Sequence, residues 1–113
     1  MTEDVFAFET HERGDSAIVR LVGELDLAEV VSLQEELDRL CSNGLAELTL
    51  DLTELDFIDS TGLHLLMKLR GRCASQELPL MLVPGPPSVQ RLFEITGTEG
   101  HFTFLDTRPD PAP

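Results

Sequence analysis

Apolar and polar residues alternate weakly over 5–10, 17–25 is a largely apolar run, and apolar and polar residues alternate again over 48–52; all three read as strands. The segment between the first two, HERGDS at 11–16, is polar and contains Gly14. It predicts a turn, and adjacency predicts that the two strands pair. Over 27–42 the period changes. Val30, Leu33, Leu37, Leu40 and Cys41 recur at helical spacing, Asp26 stands where an N-cap is wanted, and Asn43-Gly44 is a stop signal.

The stretch DLTELDFID, 51–59, is expected to carry the chain across one end of the sheet. A second helix is predicted over 60–74, with Leu65, Leu66, Leu69 and Cys73 on its inner face. The apolar run at 80–83 reads as a buried strand, and Pro84-Gly85-Pro86-Pro87 as a stiff turn. Val89, Leu92, Phe93 and Thr96 mark a third helix that stops at Gly97. Pro86 stands at its cap position and Pro87 in its first turn. A fifth strand is predicted over 102–105 and a flexible tail over 107–113. The order is β-β-α-β-α-β-α-β. Strands separated by helices become parallel neighbours through right-handed crossovers. The expected fold is therefore a single α/β domain, residues 1–106, built on a mixed five-strand sheet with three helices.

Composition narrows the function. A chain of 113 residues suits one domain. It has six Phe, no Tyr and no Trp, so the core rests on Leu, Val and Ile. Eight basic against 21 acidic residues give a net charge of −13. That surface repels nucleic-acid backbones and anionic membranes and steers a basic protein partner toward it. Cys41 and Cys73 lie in helical patterns without a CxxC or neighbouring His, which fits a reducing compartment. The first 15 residues are acidic and do not read as a signal peptide, and no apolar run is long enough to cross a bilayer. A cytoplasmic protein is expected.

The chemistry concentrates in Leu55-Asp56-Phe57-Ile58-Asp59-Ser60-Thr61-Gly62-Leu63. Ser60 directly precedes a helical pattern. As an N-cap, its hydroxyl accepts a bond from a first-turn amide, and its loss costs ~1 kcal/mol. The same position exposes a hydroxyl beside free N–H groups and the positive end of the helix dipole, where a phosphate is welcome. Asp56 and Asp59 offset part of that gain. A phosphate there leaves the fold intact but forces any partner docked over Ser60 to accommodate a new dianion. Gly62, lacking a side chain, is expected to let such a partner approach the backbone.

Three segments then resemble the signatures of STAS-domain proteins, specifically bacterial anti-sigma factor antagonists: Gly23-Glu24-Leu25-Asp26, the Leu55–Leu63 stretch, and Val89-Gln90-Arg91-Leu92-Phe93-Glu94-Ile95-Thr96-Gly97. The resemblance covers roughly residues 5 to 106, in the matching strand–helix order. It implies that the unphosphorylated protein binds an anti-sigma factor that is itself a serine kinase, and so frees a sigma factor. The kinase phosphorylates Ser60, the phosphoprotein lets go, and a phosphatase resets it. ATP and metal belong to the kinase, and no cofactor is expected in this chain, which has no P-loop. The resemblance also implies that Asp26, Asp59, Thr61, Gly62 and His64 form the partner-binding surface around Ser60, with Thr61 a second acceptor in the stress-signalling branch. A monomer is the expected state. The chain departs from many relatives in having no room for a further helix after the last strand, and His64 replaces what is often a small residue.

Two other classes compete. Asp51, Glu54, Asp56 and Asp59 suggest a metal or acid–base site, yet no His accompanies them; His11, His64 and His101 are scattered. Ser60 also lacks the Gly-x-Ser-x-Gly elbow of a hydrolase nucleophile. The sequence therefore does not read as an enzyme. The stronger alternative is a STAS domain used as an unphosphorylated adaptor subunit in a transport or stress-sensing complex, with Ser60 only a helix cap.

Overall fold

The computed structural model describes residues 6–25 and 27–105. Strand β1 (Ala7–Arg13) and strand β2 (Ser16–Leu25) form an antiparallel hairpin. Helix α1 (Leu27–Cys41), strand β3 (Glu47–Ile58), helix α2 (Ser60–Ser75), strand β4 (Leu80–Val83), helix α3 (Pro87–Thr96), a short 3₁₀ turn (Glu99–His101) and strand β5 (Thr103–Phe104) follow. The expected order of strands and helices is observed, and β2 to β5 are mutually parallel.

The hairpin is longer and its turn tighter than the sequence pattern predicts. Residues His11 to Arg13 belong to β1 and pair with Ile18 to Ser16. Only Gly14 and Asp15 lie between the strands, and Gly14 takes the positive φ of 62° that such a turn needs. The polar residues of this stretch disguised it because β1 is an edge strand. The predicted start at Val5 lies outside the described residues, as do the Asp26 cap and the 107–113 tail. β5 is a two-residue strand, shorter than expected, because the 3₁₀ turn takes up the chain just before it.

Strand order in the sheet follows chain order, β1-β2-β3-β4-β5. Right-handed crossovers between parallel neighbours taken in sequence place all three helices on one face. Register agrees: Thr10, Val19, Leu50, Leu82 and Phe104 form one row across the sheet. Phe93 of α3 packs edge-on against Phe104, with ring centres 5.4 Å apart. Leu33, Leu37 and Leu40 of α1 and Leu66 and Leu69 of α2 complete this core. The helices are thus held mainly by their apolar stripes, as short helices must be. The opposite face carries the row His11, Ile18, Thr49, Met81 and Thr103. Between the helix ends, Arg72 of α2 binds Asp38 of α1 at 2.6 Å, and Arg39 joins Glu36 to Glu12 of β1.

The main correction concerns β3. Residues 51–58 do not leave the sheet; they continue the strand for its full 12 residues. They escape a simple alternation because β3 carries two extra residues against β2. Arg20 to Val22 spans two steps while their partners Asp51 to Glu54 span three. Gly23 to Glu24 is one step while Leu55 to Phe57 is two. Each is a bulge, which re-aims the side chains beyond it. Gly23, with φ 93°, supplies the left-handed backbone at the second bulge.

Candidate functional site

The C-terminal ends of β2, β3 and β4 lie together, and each leads into the start of a helix. Open α/β sheets present their chemistry at this edge. Here β3 hands the chain to α2 within one residue. Asp59 adopts an extended conformation (φ −101°, ψ −175°), and its Oδ1 accepts the Gly62 N–H at 2.9 Å. Its carbonyl accepts the Leu63 N–H at 3.0 Å, the first bond of the helix. Asp59 is therefore the N-cap. The expectation that Ser60 fills this role is corrected: Ser60 is the first residue of the helix proper, and its hydroxyl is exposed. The Asp59 carboxylate also complements the positive end of the helix dipole. Ser60 is left without the structural duty that the sequence alone would assign it.

Thr61 is half-buried in the first turn, less accessible than Ser60. His64 is exposed and four residues after Ser60, so the two share one side of α2 with side chains about 5–6 Å apart at Cβ. Gly62 is buried. A Cβ on it would meet Ile58 Cγ1 at 2.8 Å and Leu25 Cδ2 and Cγ at 3.1 Å. Its lack of a side chain lets α2 close onto the ends of β2 and β3. Asp26, on the connection from β2 to α1, lies outside the described residues. The PGPP turn adds a group the sequence reading missed: Ser88 of α3 donates to the Asp56 carbonyl at 3.1 Å and ties the start of α3 to the end of β3. Gly85 is fixed by a bond from its N–H to Gln90 Oε1, and a Cβ there would stand 2.8 Å from the Leu52 carbonyl. As expected of a turn of this composition, Pro86 caps α3 without a side-chain bond and Pro87 opens it.

The four carboxylates considered as a catalytic group do not converge. Asp51 is buried, 2% exposed, and accepts from both the backbone and the hydroxyl of Thr53, with Arg20 Nε 3.8 Å from its other oxygen. Arg20 also pairs with Glu54, at 3.6 Å, and with Glu9. Asp59 is committed to the helix cap. Among the described residues no three His, Cys, Asp or Glu gather as metal ligands. A groove of about 250 Å³ runs between α1 and α2, lined by Leu37, Leu65 and Leu69 with Lys68 and Arg72 at its rim. It begins more than a helical turn beyond Ser60 and is separate from this edge. No helix among the described residues is long and apolar enough to cross a membrane.

Comparison with known proteins agrees with this architecture. A model of the STAS domain matches residues 7–110. The anti-sigma-B factor antagonist of Staphylococcus aureus is 32% identical over 79 residues, which is 70% of this chain and 73% of that protein. Among solved structures, an anti-sigma factor antagonist from Mycobacterium paratuberculosis superposes with a TM-score of 0.81 at 20% identity, covering 97% of this chain and 93% of that one. The Bacillus cell fate determinant SpoIIAA in its phosphorylated form superposes with a TM-score of 0.68 at 20% identity, covering 89% and 91%. A single sheet with its strands in chain order, an acid-capped helix opening on Asp-Ser-Thr-Gly, and these matches together make the chain a STAS-domain protein of the anti-sigma factor antagonist family.

Proposed function

We propose that this protein is a partner-switching regulator: unphosphorylated, it binds an anti-sigma factor with serine kinase activity and frees a sigma factor, and phosphorylation of Ser60 ends that binding. The observation that carries this reading is the division of labour at the start of α2. Asp59 holds the helix, so the exposed Ser60 hydroxyl beside it can be modified without dismantling the fold. The solved phosphorylated form of SpoIIAA, a fold neighbour, supports the same reading.

The physics favours release. A kinase must hold a nucleotide phosphate within bonding distance of Ser60 Oγ. Once Ser60 carries its own dianion, a fresh nucleotide and the phosphoserine bring like charges to one point in a desolvated interface. Asp59 beside it, and Asp56 on the adjoining strand, add to the repulsion. In this reading Asp26, Thr61 and His64 border the docking surface with Asp59 and Ser60, while Gly62 supports it from below. A separate phosphatase restores the binding form, and the protein works in the cytoplasm as a monomer.

Pull-down from native lysate with wild type, Ser60→Ala and Ser60→Asp as baits, each bound protein being identified, tests this. A serine kinase retained by the first two and lost by the third, at least tenfold weaker or ~1.4 kcal/mol, is the expected result. Identical partners on all three baits would mean an adaptor whose Ser60 is not a switch.

A further inference from the structure

Among the described residues three large apolar side chains are exposed: Val31 of α1, 63% exposed, Ile95 and Phe57. Ile95, 73% exposed, lies in the last turn of α3. Phe57, 46% exposed, lies three residues before Ser60, which places the two within about 10 Å along the chain. A single exposed apolar residue is ordinary. Phe57 differs in how it is placed. The second bulge of β3 sets it opposite Glu24, while the next pair, Leu25 and Ile58, points into the core. Phe57 therefore projects from the helix-free face of the sheet, at the edge where α2 begins. Without the extra residue at this bulge the strand phase would turn that position the other way.

Acidic residues stand near it. Glu24 is its cross-strand partner, Glu54 lies opposite Val22 on the same face, and Asp56 precedes it and is exposed. Arg20, on the same face, already pairs with Glu54, so Glu24 and Asp56 carry the acidic character beside the ring; on a chain of net charge −13 this complements an apolar pocket with a cationic rim.

We propose that Phe57 is the docking anchor for the kinase partner, seated in an apolar pocket edged by Arg or Lys, while Ser60 faces the kinase active centre. This deepens the proposed switch and rests on it. A standard interface covers about 800 Å² on each partner, enough to include both residues. The assignment separates affinity, held by Phe57, from control, held by Ser60.

The test uses the full-length chain and the kinase recovered on the Ser60→Ala bait, then purified. Phe57→Ser is expected to weaken binding at least tenfold and to raise KM for Ser60 phosphorylation with kcat unchanged. Its urea midpoint should match wild type, since the ring is half in water already. Phe57→Leu should restore most of the affinity, and Ile95→Ser should leave it unchanged. Asp56→Asn should slow association. Equal affinity of Phe57→Ser and wild type overturns the anchor, as does a fall in its urea midpoint that accounts for the lost binding. An unchanged association rate for Asp56→Asn overturns the cationic rim. If instead no kinase distinguishes Ser60→Ala from Ser60→Asp, the switch itself fails and the anchor with it.

Discussion

Gly62→Ala tests whether the glycine of the Asp-Ser-Thr-Gly segment serves packing or recognition. The added methyl would sit 2.8 Å from Ile58 Cγ1 and 3.1 Å from two carbons of Leu25, where relaxed carbon contacts need about 3.5–4.0 Å. Ile58 is 4% exposed and Leu25 is fully buried, so neither can swing into solvent. Overpacking at such a site costs about 1–3 kcal/mol. Alanine's helix preference returns up to ~1 kcal/mol, and less in a first turn. The net expectation is a loss of about 1–2 kcal/mol, or a fall in Tm of roughly 4–8 °C for a domain of this size. With no Trp or Tyr to report, the assay is far-UV circular dichroism through a urea titration, repeated as a thermal scan. Partner affinity, corrected for the folded fraction, should be near that of wild type. A variant as stable as wild type, with binding lost, would refute the packing argument and return Gly62 to the docking surface.

Asp59→Ala should cost ~1 kcal/mol through loss of the bond to the Gly62 N–H, with Asp59→Asn retaining most of it; both are read from urea midpoints. Ser60→Ala should shift the midpoint by less than about 0.5 kcal/mol, because Ser60 is exposed and does not cap the helix. Gly85→Ala should be as costly as Gly62→Ala or more, about 2–3 kcal/mol, since its methyl would meet the Leu52 carbonyl, part of the central strand's backbone. Burial pushes the Cys73 thiol from 9.0 up to about 12, and burial raises that of Cys41. Between pH 9 and 12 the unfolded chain therefore loses a proton that the folded chain keeps. Stability should fall as pH rises there, by up to ~1.4 kcal/mol per pH unit for one thiol. Urea midpoints at pH 8, 9.5 and 10.5 should show this slope, and Cys73→Ala should flatten it.

Much of the fold was legible because period and punctuation agree. Leu33, Leu37 and Leu40 could only be one face of a helix, the 80–83 run could only be a short buried strand, and Gly97 ends α3 in the left-handed conformation expected of it. β3 was misread beyond Leu52 because its buried residues, Leu52, Leu55 and Ile58, are spaced by three. That spacing suggests a turn or a helix until the two bulges against β2 are known, and pairing is not visible in one strand alone. At the site, the sequence located the start of α2 within one residue but assigned the cap to the wrong neighbour. Asp and Ser are both good caps, and only the backbone of Asp59 decides between them. Phe57 went unnoticed because 51–59 read as a crossing segment, where no side chain is assigned to a face of the sheet; only the extended β3 and its second bulge place it.

The agreement of strand order with chain order has a consequence for synthesis. Each strand after the first docks beside one already made, and no later strand must be inserted between two earlier ones. The sheet can grow in one direction as the chain leaves the ribosome. Loop closure stays short throughout, which favours fast folding for a parallel sheet. β2, β3 and α2, which carry Phe57, Asp59 and Ser60, are all present once residue 75 has emerged. This edge of the sheet can therefore take shape before β4 and β5 exist, and the Ser88 bond to Asp56 would be its last fastening.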